Sequence, residues 1–122
     1  MNTNSLGFRK RNHIFFTYQS NIFAKLRVIH LKPTETNNDN KPLSDDELVK
    51  GCLKNDVSYQ ELLYKRFASK MMGVSMRYCN SRMEAEDVLQ DAFIKVFTRI
   101  KSFKGDGSLE GWIRKIVVFT AL

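Results

Sequence analysis

Residues 85–100 read Ala85-Glu86-Asp87-Val88-Leu89-Gln90-Asp91-Ala92-Phe93-Ile94-Lys95-Val96-Phe97-Thr98-Arg99-Ile100. The apolar residues Ala85, Val88, Leu89, Ala92, Phe93, Val96, Phe97 and Ile100 recur at i, i+3, i+4, i+7, the period of one helix face. A stripe of this length predicts an amphipathic helix with that side in a core. Ser81-Arg82-Met83-Glu84 stands just before it and has the S-x-x-E form of a capping box. The helix is therefore expected to start at Ser81 and to run to about Lys101.

The same signals recur on both sides. Ser58-Tyr59-Gln60-Glu61 is a second S-x-x-E box and predicts a long helix to about Asn80, with Leu62, Leu63, Phe67, Met71, Val74 and Tyr78 as its apolar positions. Ser44-Asp45-Asp46-Glu47 is a third, and predicts a short helix to about Asn55. Downstream, Ser102-Phe103-Lys104-Gly105-Asp106-Gly107 interrupts the pattern. Ser108 can then cap a last helix, with Glu110 near its positive end. Leu109, Trp112, Ile113, Ile116, Val117 and Thr120 would form the inward face of that helix. No strand-like run competes. The expected fold class is all-α: a compact three-helix bundle plus a short N-terminal helix over residues 43–122, preceded by an extension.

That extension is residues 1–42. Residues 32–42 are polar, aperiodic and flanked by both prolines, the composition of a linker. Ahead of them, Ile22, Phe23, Leu26 and Ile29 could share one face of a short helix that docks on the body, lies on a membrane, or stays poorly ordered. Arg9-Lys10-Arg11 followed by an aromatic stretch has the start of a signal-peptide pattern. Polar residues interrupt it, and no clean cleavage site follows. No apolar run approaches the ~20 residues of a membrane span. A cytoplasmic location is expected.

Composition narrows the chemistry. The chain has 122 residues, with 20 Lys+Arg against 13 Asp+Glu and a formal charge of +7. Such a balance favours a polyanionic partner. Residues 1–42 hold seven Lys+Arg and two Asp+Glu, whereas 43–122 hold thirteen and eleven, so most of the excess lies in the extension. Both histidines, His13 and His30, also lie there, away from Cys52 and Cys79. The cysteines are expected to be reduced and packed as small apolar residues. A zinc site, a Ser–His or Cys–His pair and a phosphate-binding glycine motif all lack their residues in 43–122. Neither an enzyme, nor a metal, nor a cofactor is expected.

Two sets of residues remain once the core is assigned. On the central helix, Asp87, Gln90, Asp91 and Ile94 share a face at i, i+3, i+4, i+7. The plain reading is a solvated helix face; Ile94, from which such a face gains nothing, weighs against it, and the functional reading is a docking face for a basic partner helix or coiled coil. Around the last loop, Lys101, Lys104, Arg114 and Lys115 are basic, Phe103 and Trp112 aromatic, and Gly105 and Gly107 allow a tight turn. Cations neutralise phosphates and aromatic rings stack on unpaired bases. Trp112 lies on the apolar stripe and reads first as core; for Phe103 core and ligand readings stand level.

The run Ala85-Glu86-Asp87-Val88-Leu89-Gln90-Asp91-Ala92-Phe93, together with Phe103-Lys104-Gly105-Asp106-Gly107-Ser108-Leu109-Glu110-Gly111-Trp112-Ile113-Arg114-Lys115-Ile116, resembles region two of a bacterial RNA polymerase sigma factor of the extracytoplasmic-function group. Asp46-Glu47-Leu48 and Leu62-Leu63-Tyr64-Lys65-Arg66-Phe67 fit the opening of that region. The resemblance spans about residues 43–122. It implies that Asp87, Gln90 and Asp91, extended by Ile94, dock on the β′ clamp helices of core polymerase. It further implies that the non-template strand of the promoter minus-ten element is engaged by Lys101, Ser102, Phe103, Lys104, Gly105, Asp106, Ser108 and Leu109, with Trp112, Arg114, Lys115 and Phe119 on the helix.

The chain also departs from the pattern. Phe119 stands where the family has Asn in W-I-x-K-I-x-x-N, offering stacking but no hydrogen-bond code. The sequence stops at Leu122, before the basic residues that continue the family's helix, and no counterpart of region four follows. A C-terminally shortened region two is therefore expected. The resemblance implies a monomeric transcription initiation factor domain whose partners are core polymerase, promoter DNA and an anti-sigma factor. The alternative is a shortened interaction module that binds core polymerase or an anti-sigma factor without initiating transcription. A general single-strand binder with no need of Asp87 is a third reading.

Overall fold

A computed structural model describes residues 41–122, and they are all-α. The candidate helix on Ile22, Phe23, Leu26 and Ile29, and the extension up to residue 40, lie outside the described residues. Four helices follow in order: α1 Asp45–Leu53, α2 Val57–Met76, α3 Arg82–Arg99 and α4 Leu109–Ala121, with a 3-10 turn Ile100–Ser102 after α3. The longest three pack against one another, and α1 lies along α2 and the 3-10 turn.

The start of α1 is a complete capping box. Ser44 Oγ accepts from the Glu47 amide at 3.2 Å, and Glu47 Oε2 accepts from the Ser44 amide at 2.8 Å. These bonds hold the Glu47 carboxyl below its usual pKa. The start of α2 departs from the sequence reading. Its N-cap is Asp56, whose carboxylate accepts from the Ser58 amide at 2.9 Å, and Ser58 is already inside the helix. Asn55, at φ 57°, takes the left-handed conformation that Asn tolerates and ends the preceding turn, so Asp56 is the first residue able to cap. At α3, Ser81 Oγ accepts from the Glu84 amide at 3.1 Å as expected. The Glu84 carboxylate bonds instead to the Asn80 amide at 2.9 Å, one residue upstream of the box position.

The helix ends are also tighter than expected. α2 stops at Met76, where the Arg77 and Tyr78 amides turn back to Val74 O and Ser75 O. Tyr78, expected in the core, is therefore exposed, and Leu62 is half-buried on the outer side of α2. Tyr64, Ala68, Gln60 and Ser75 are buried in the core phase of that helix.

The α3 stripe is buried as its period predicts, with Val88 half-buried at its edge. Phe93 is fully enclosed and meets Tyr64 of α2 edge-on, with ring centroids 4.9 Å apart. Leu63 and Met71 of α2 and Ile113 and Val117 of α4 complete the centre. Burying each of the larger side chains contributes about 1.5–3 kcal/mol. Gly51 of α1 allows the close α1–α2 approach: a Cβ there would stand 2.0 Å from Cγ of Tyr59. Cys52 is buried and its thiol pushed up to about 11, by desolvation first and Asp56 second. Both cysteines are free thiols.

Candidate functional site

The outward side of α3 carries the acidic set. Asp87 and Asp91 are exposed, and Gln90 and Ile94 are half-buried. Because Ala85, Leu89, Ala92, Phe93 and Val96 hold the opposite side in the core, the four point away from the bundle as one patch. Asp91 has its pKa raised, chiefly by desolvation; Asp87 one turn away pushes the same way and Lys95 opposes. A carboxylate already part-stripped of water loses less hydration on meeting a cation than a fully solvated one. Met83, one turn before Asp87, is 74% exposed and extends the patch with an apolar end. Its spacing from Asp87 is the signal by which sequence reasoning could have found it.

The second set surrounds the loop after α3 and the outer side of α4. Ser102 donates to Arg99 O at 2.7 Å, closing the 3-10 turn. Gly105 has φ 77°, the left-handed conformation that glycine adopts without strain. Ser108 caps α4 by accepting from the Gly111 amide at 3.0 Å. Lys101, Lys104 and Asp106 are exposed. Phe103 packs on Trp112 with ring centroids 5.5 Å apart and planes tilted by 52°. Both rings are half-buried, so Trp112 is not the fully enclosed core residue that the stripe suggested. The pair packs the loop against the helix with both residues part-exposed.

Two residues of the expected DNA set stand elsewhere. Leu109 is 1% exposed: as the first residue of α4 it points into the core and offers no surface to a ligand. Arg114 is exposed but two residues on from Trp112, so the helix places it away from the Trp112 flank. Trp112, Lys115 and Phe119 are three and four residues apart and line one flank. Phe119 is 73% exposed. Glu110, the only carboxylate on α4, lies 2.8 Å from Lys70 of α2. That pairing leaves the flank itself cationic. Lys95 was absent from the sequence-derived set; it reaches from α3 to donate to Thr120 Oγ1 at 3.2 Å. Among the described residues, no three His, Cys, Asp or Glu side chains are grouped to hold a metal.

A helix with an acidic outward face, a glycine-containing loop and a cationic, aromatic helix thus follow one another in one small bundle. Residues 63–122 match the family described as sigma-70 region 2. They form a sigma-70 region 2 domain. The match to region 2 opens within α2 and takes in α3, the loop and α4, and so contains both faces. The chain is similar to the RNA polymerase sigma-H factor of Pseudomonas aeruginosa, 32% identical over 77 residues, which are 63% of this chain and 40% of that protein. It is 37% identical over 79 residues to the ECF RNA polymerase sigma-E factors of Haemophilus influenzae and Escherichia coli K12, over 65% of this chain and 41% of each. The chain spans about two fifths of the length of these relatives. Among the described residues no helix is long and apolar enough to cross a membrane.

Proposed function

We propose that this region 2 domain is a non-enzymatic transcription initiation module that works from two separate faces. The α3 face, Asp87, Gln90, Asp91 and Ile94 with Met83 at its end, docks on the β′ clamp helices of core RNA polymerase. The loop and α4, through Lys101, Phe103, Lys104, Trp112 and Lys115, engage the non-template strand of the minus-ten element. The observation that carries the reading is the division of charge and apolar surface on opposite sides of α3. Its core stripe is buried apart from the half-buried Val88 at the edge, and Asp87 and Asp91 stand on the far side beside the exposed Met83. A solvated helix face gains nothing from an exposed methionine, whereas a docking face gains apolar contact area.

Extrusion of a base costs a few kcal/mol of unstacking. The Phe103–Trp112 pair supplies ring surface, and the lysines on either side supply phosphate neutralisation. An anti-sigma factor is a second proposed partner, and the domain is proposed to act as a monomer in the cytoplasm.

Retention of the chain on immobilised core polymerase tests the docking face. The expected result is strong retention of the wild type and loss in an Asp87→Ala/Asp91→Ala double variant. Equal retention of the two would sink the docking proposal. Retention without promoter opening would favour the interaction-module alternative.

A further inference from the structure

We propose that Arg66 is a positioning residue for the loop after α3. It clasps the start of α1 from α2, α1 in turn seats the 3-10 turn Ile100–Ser102, and that turn sets Phe103 against Trp112. The inference rests on the reading of that loop as a strand-engaging face, and adds to it a residue outside both the loop and α4.

One guanidinium nitrogen of Arg66 donates to Asp45 Oδ1 at 3.0 Å, and the other donates to the carbonyl oxygen of Leu43. The fork therefore takes one acceptor from the first residue of α1 and one from the residue before its cap. The capping box of Ser44 and Glu47 makes only local bonds, so it favours the helical form of α1 without fixing its place. Arg66 fixes the place, because its acceptors lie 21 and 23 residues away in the sequence.

α1 needs such a fixture. It has nine residues, and isolated helices shorter than about 12–15 residues are marginal in water. Its helical state depends on docking the side that buries Leu48, Val49 and Cys52, and it docks along α2 and the 3-10 turn.

The 3-10 turn links α1 to the loop. Ile100, its first residue, is 3% exposed. Ile100 O accepts from the Phe103 amide at 3.2 Å, and the Ser102 hydroxyl bonds back to Arg99 O. Phe103 is thus held at its backbone by the turn and at its ring by Trp112. The Arg66–Asp45 pair is part-exposed, at 31% and 47%. Pairs of this kind contribute little to global stability. The signature of a positioning role is therefore local: order in α1 and the loop changes while the melting temperature hardly moves.

Trp112 is the sole tryptophan of the chain and is half-buried against Phe103, so acrylamide quenching of its emission reads the seating of the loop. Hydrogen exchange of the full chain reads α1 and residues 101–108 separately, and fluorescence anisotropy reads affinity for a labelled oligothymidine strand. Arg66→Gln should speed exchange in α1 and in 101–108, raise Trp112 quenching and weaken strand binding by about 2- to 5-fold. Exchange in α3, Tm and retention on core polymerase should stay as in the wild type. Asp45→Asn should act in the same direction, and Arg66→Lys, which keeps the charge but not the fork, should fall between. A looser α1 with unchanged loop exchange and Trp112 quenching would refute the positioning role. So would a uniform rise in exchange with a lower Tm, the mark of a purely structural residue. Lys104→Gln keeps the two readings apart. Weaker strand binding in Lys104→Gln alone would refute the part of Arg66 and leave the loop reading standing. If Arg66→Gln loosened the loop but neither variant weakened the strand, the strand-engaging reading would fall, and the part of Arg66 in it.

Discussion

The Ser75 hydroxyl donates to the Ala85 carbonyl oxygen at 2.8 Å, and both residues are completely buried. The bond crosses from the end of α2 to the first turn of α3, spanning the tight turn that ends α2 early. Ser75→Ala should cost about 1 kcal/mol, the usual net value of one buried hydrogen bond, seen as a lower Tm and urea midpoint with an unchanged m-value. An unaltered midpoint would mean that the bond is not formed in solution.

Gly51 offers a sharper steric test. Its Cβ position is already occupied by the Tyr59 ring, whose nearest atom would be 2.0 Å away. The contacted atom is Cγ at the base of the ring, so relief requires χ1 to swing the whole ring out of its place or the helices to move apart. Gly51→Ala should destabilise by about 1–3 kcal/mol. Adding Tyr59→Ala should recover part of that loss in a double-mutant cycle. Simple additivity of the two would contradict the packing.

Glu47 predicts a pH dependence. Its folded pKa is lowered by the bonds to Ser44. The stabilisation is therefore present above the unfolded value near 4.5 and lost as pH falls through the lowered folded value. Glu47→Gln should remove this acid-side sensitivity and cost little at acid pH. Ser44→Ala should cost about 1 kcal/mol at neutral pH.

Asp91 has the opposite sign. Its raised pKa means that the charged form is disfavoured in the fold. The resulting penalty applies above the folded pKa and disappears as pH falls below the ordinary 3.8. Asp91→Asn should leave thermal stability unchanged or slightly higher while weakening retention on core polymerase. A variant both less stable and fully retained would count against a docking role.

Gly105 and Gly107 form a matched pair for the loop. Neither has any atom near its Cβ position, but only Gly105 is left-handed, at φ 77°. Gly105→Ala should cost about 1 kcal/mol and Gly107→Ala much less. Equal costs would show that conformation does not separate them.

The course of α3 was legible because its core stripe repeats over four turns, and the same count left Asp87, Gln90, Asp91 and Ile94 on the outside. The start of α2 was not, because Ser58-x-x-Glu61 satisfies the local pattern while the chain arriving through Asn55 caps at Asp56. Gln60 is buried because the helix phase places it on the core side, and a polar residue gives no apolar signal of that in the sequence. Leu109 belongs to the DNA set only through the family resemblance; the periodicity of α4 already placed it on the inward face, where it is buried. The Lys95–Thr120 contact joins residues 25 apart and has no local signature.

Because α3 presents its core side and its acidic side from the same 18-residue rod, their relative bearing is set by residue count. Inserting or deleting one residue between Arg82 and Arg99 would swing everything beyond it by about 100°. The bundle or the acidic patch could then keep its heading, but not both. The stretch Lys104–Gly107 carries no such phase constraint, since it lies between helices and its glycines meet no neighbour. Length variation among relatives should accumulate there and be purged from α3, so that the loop is free to diversify while the helix keeps its length.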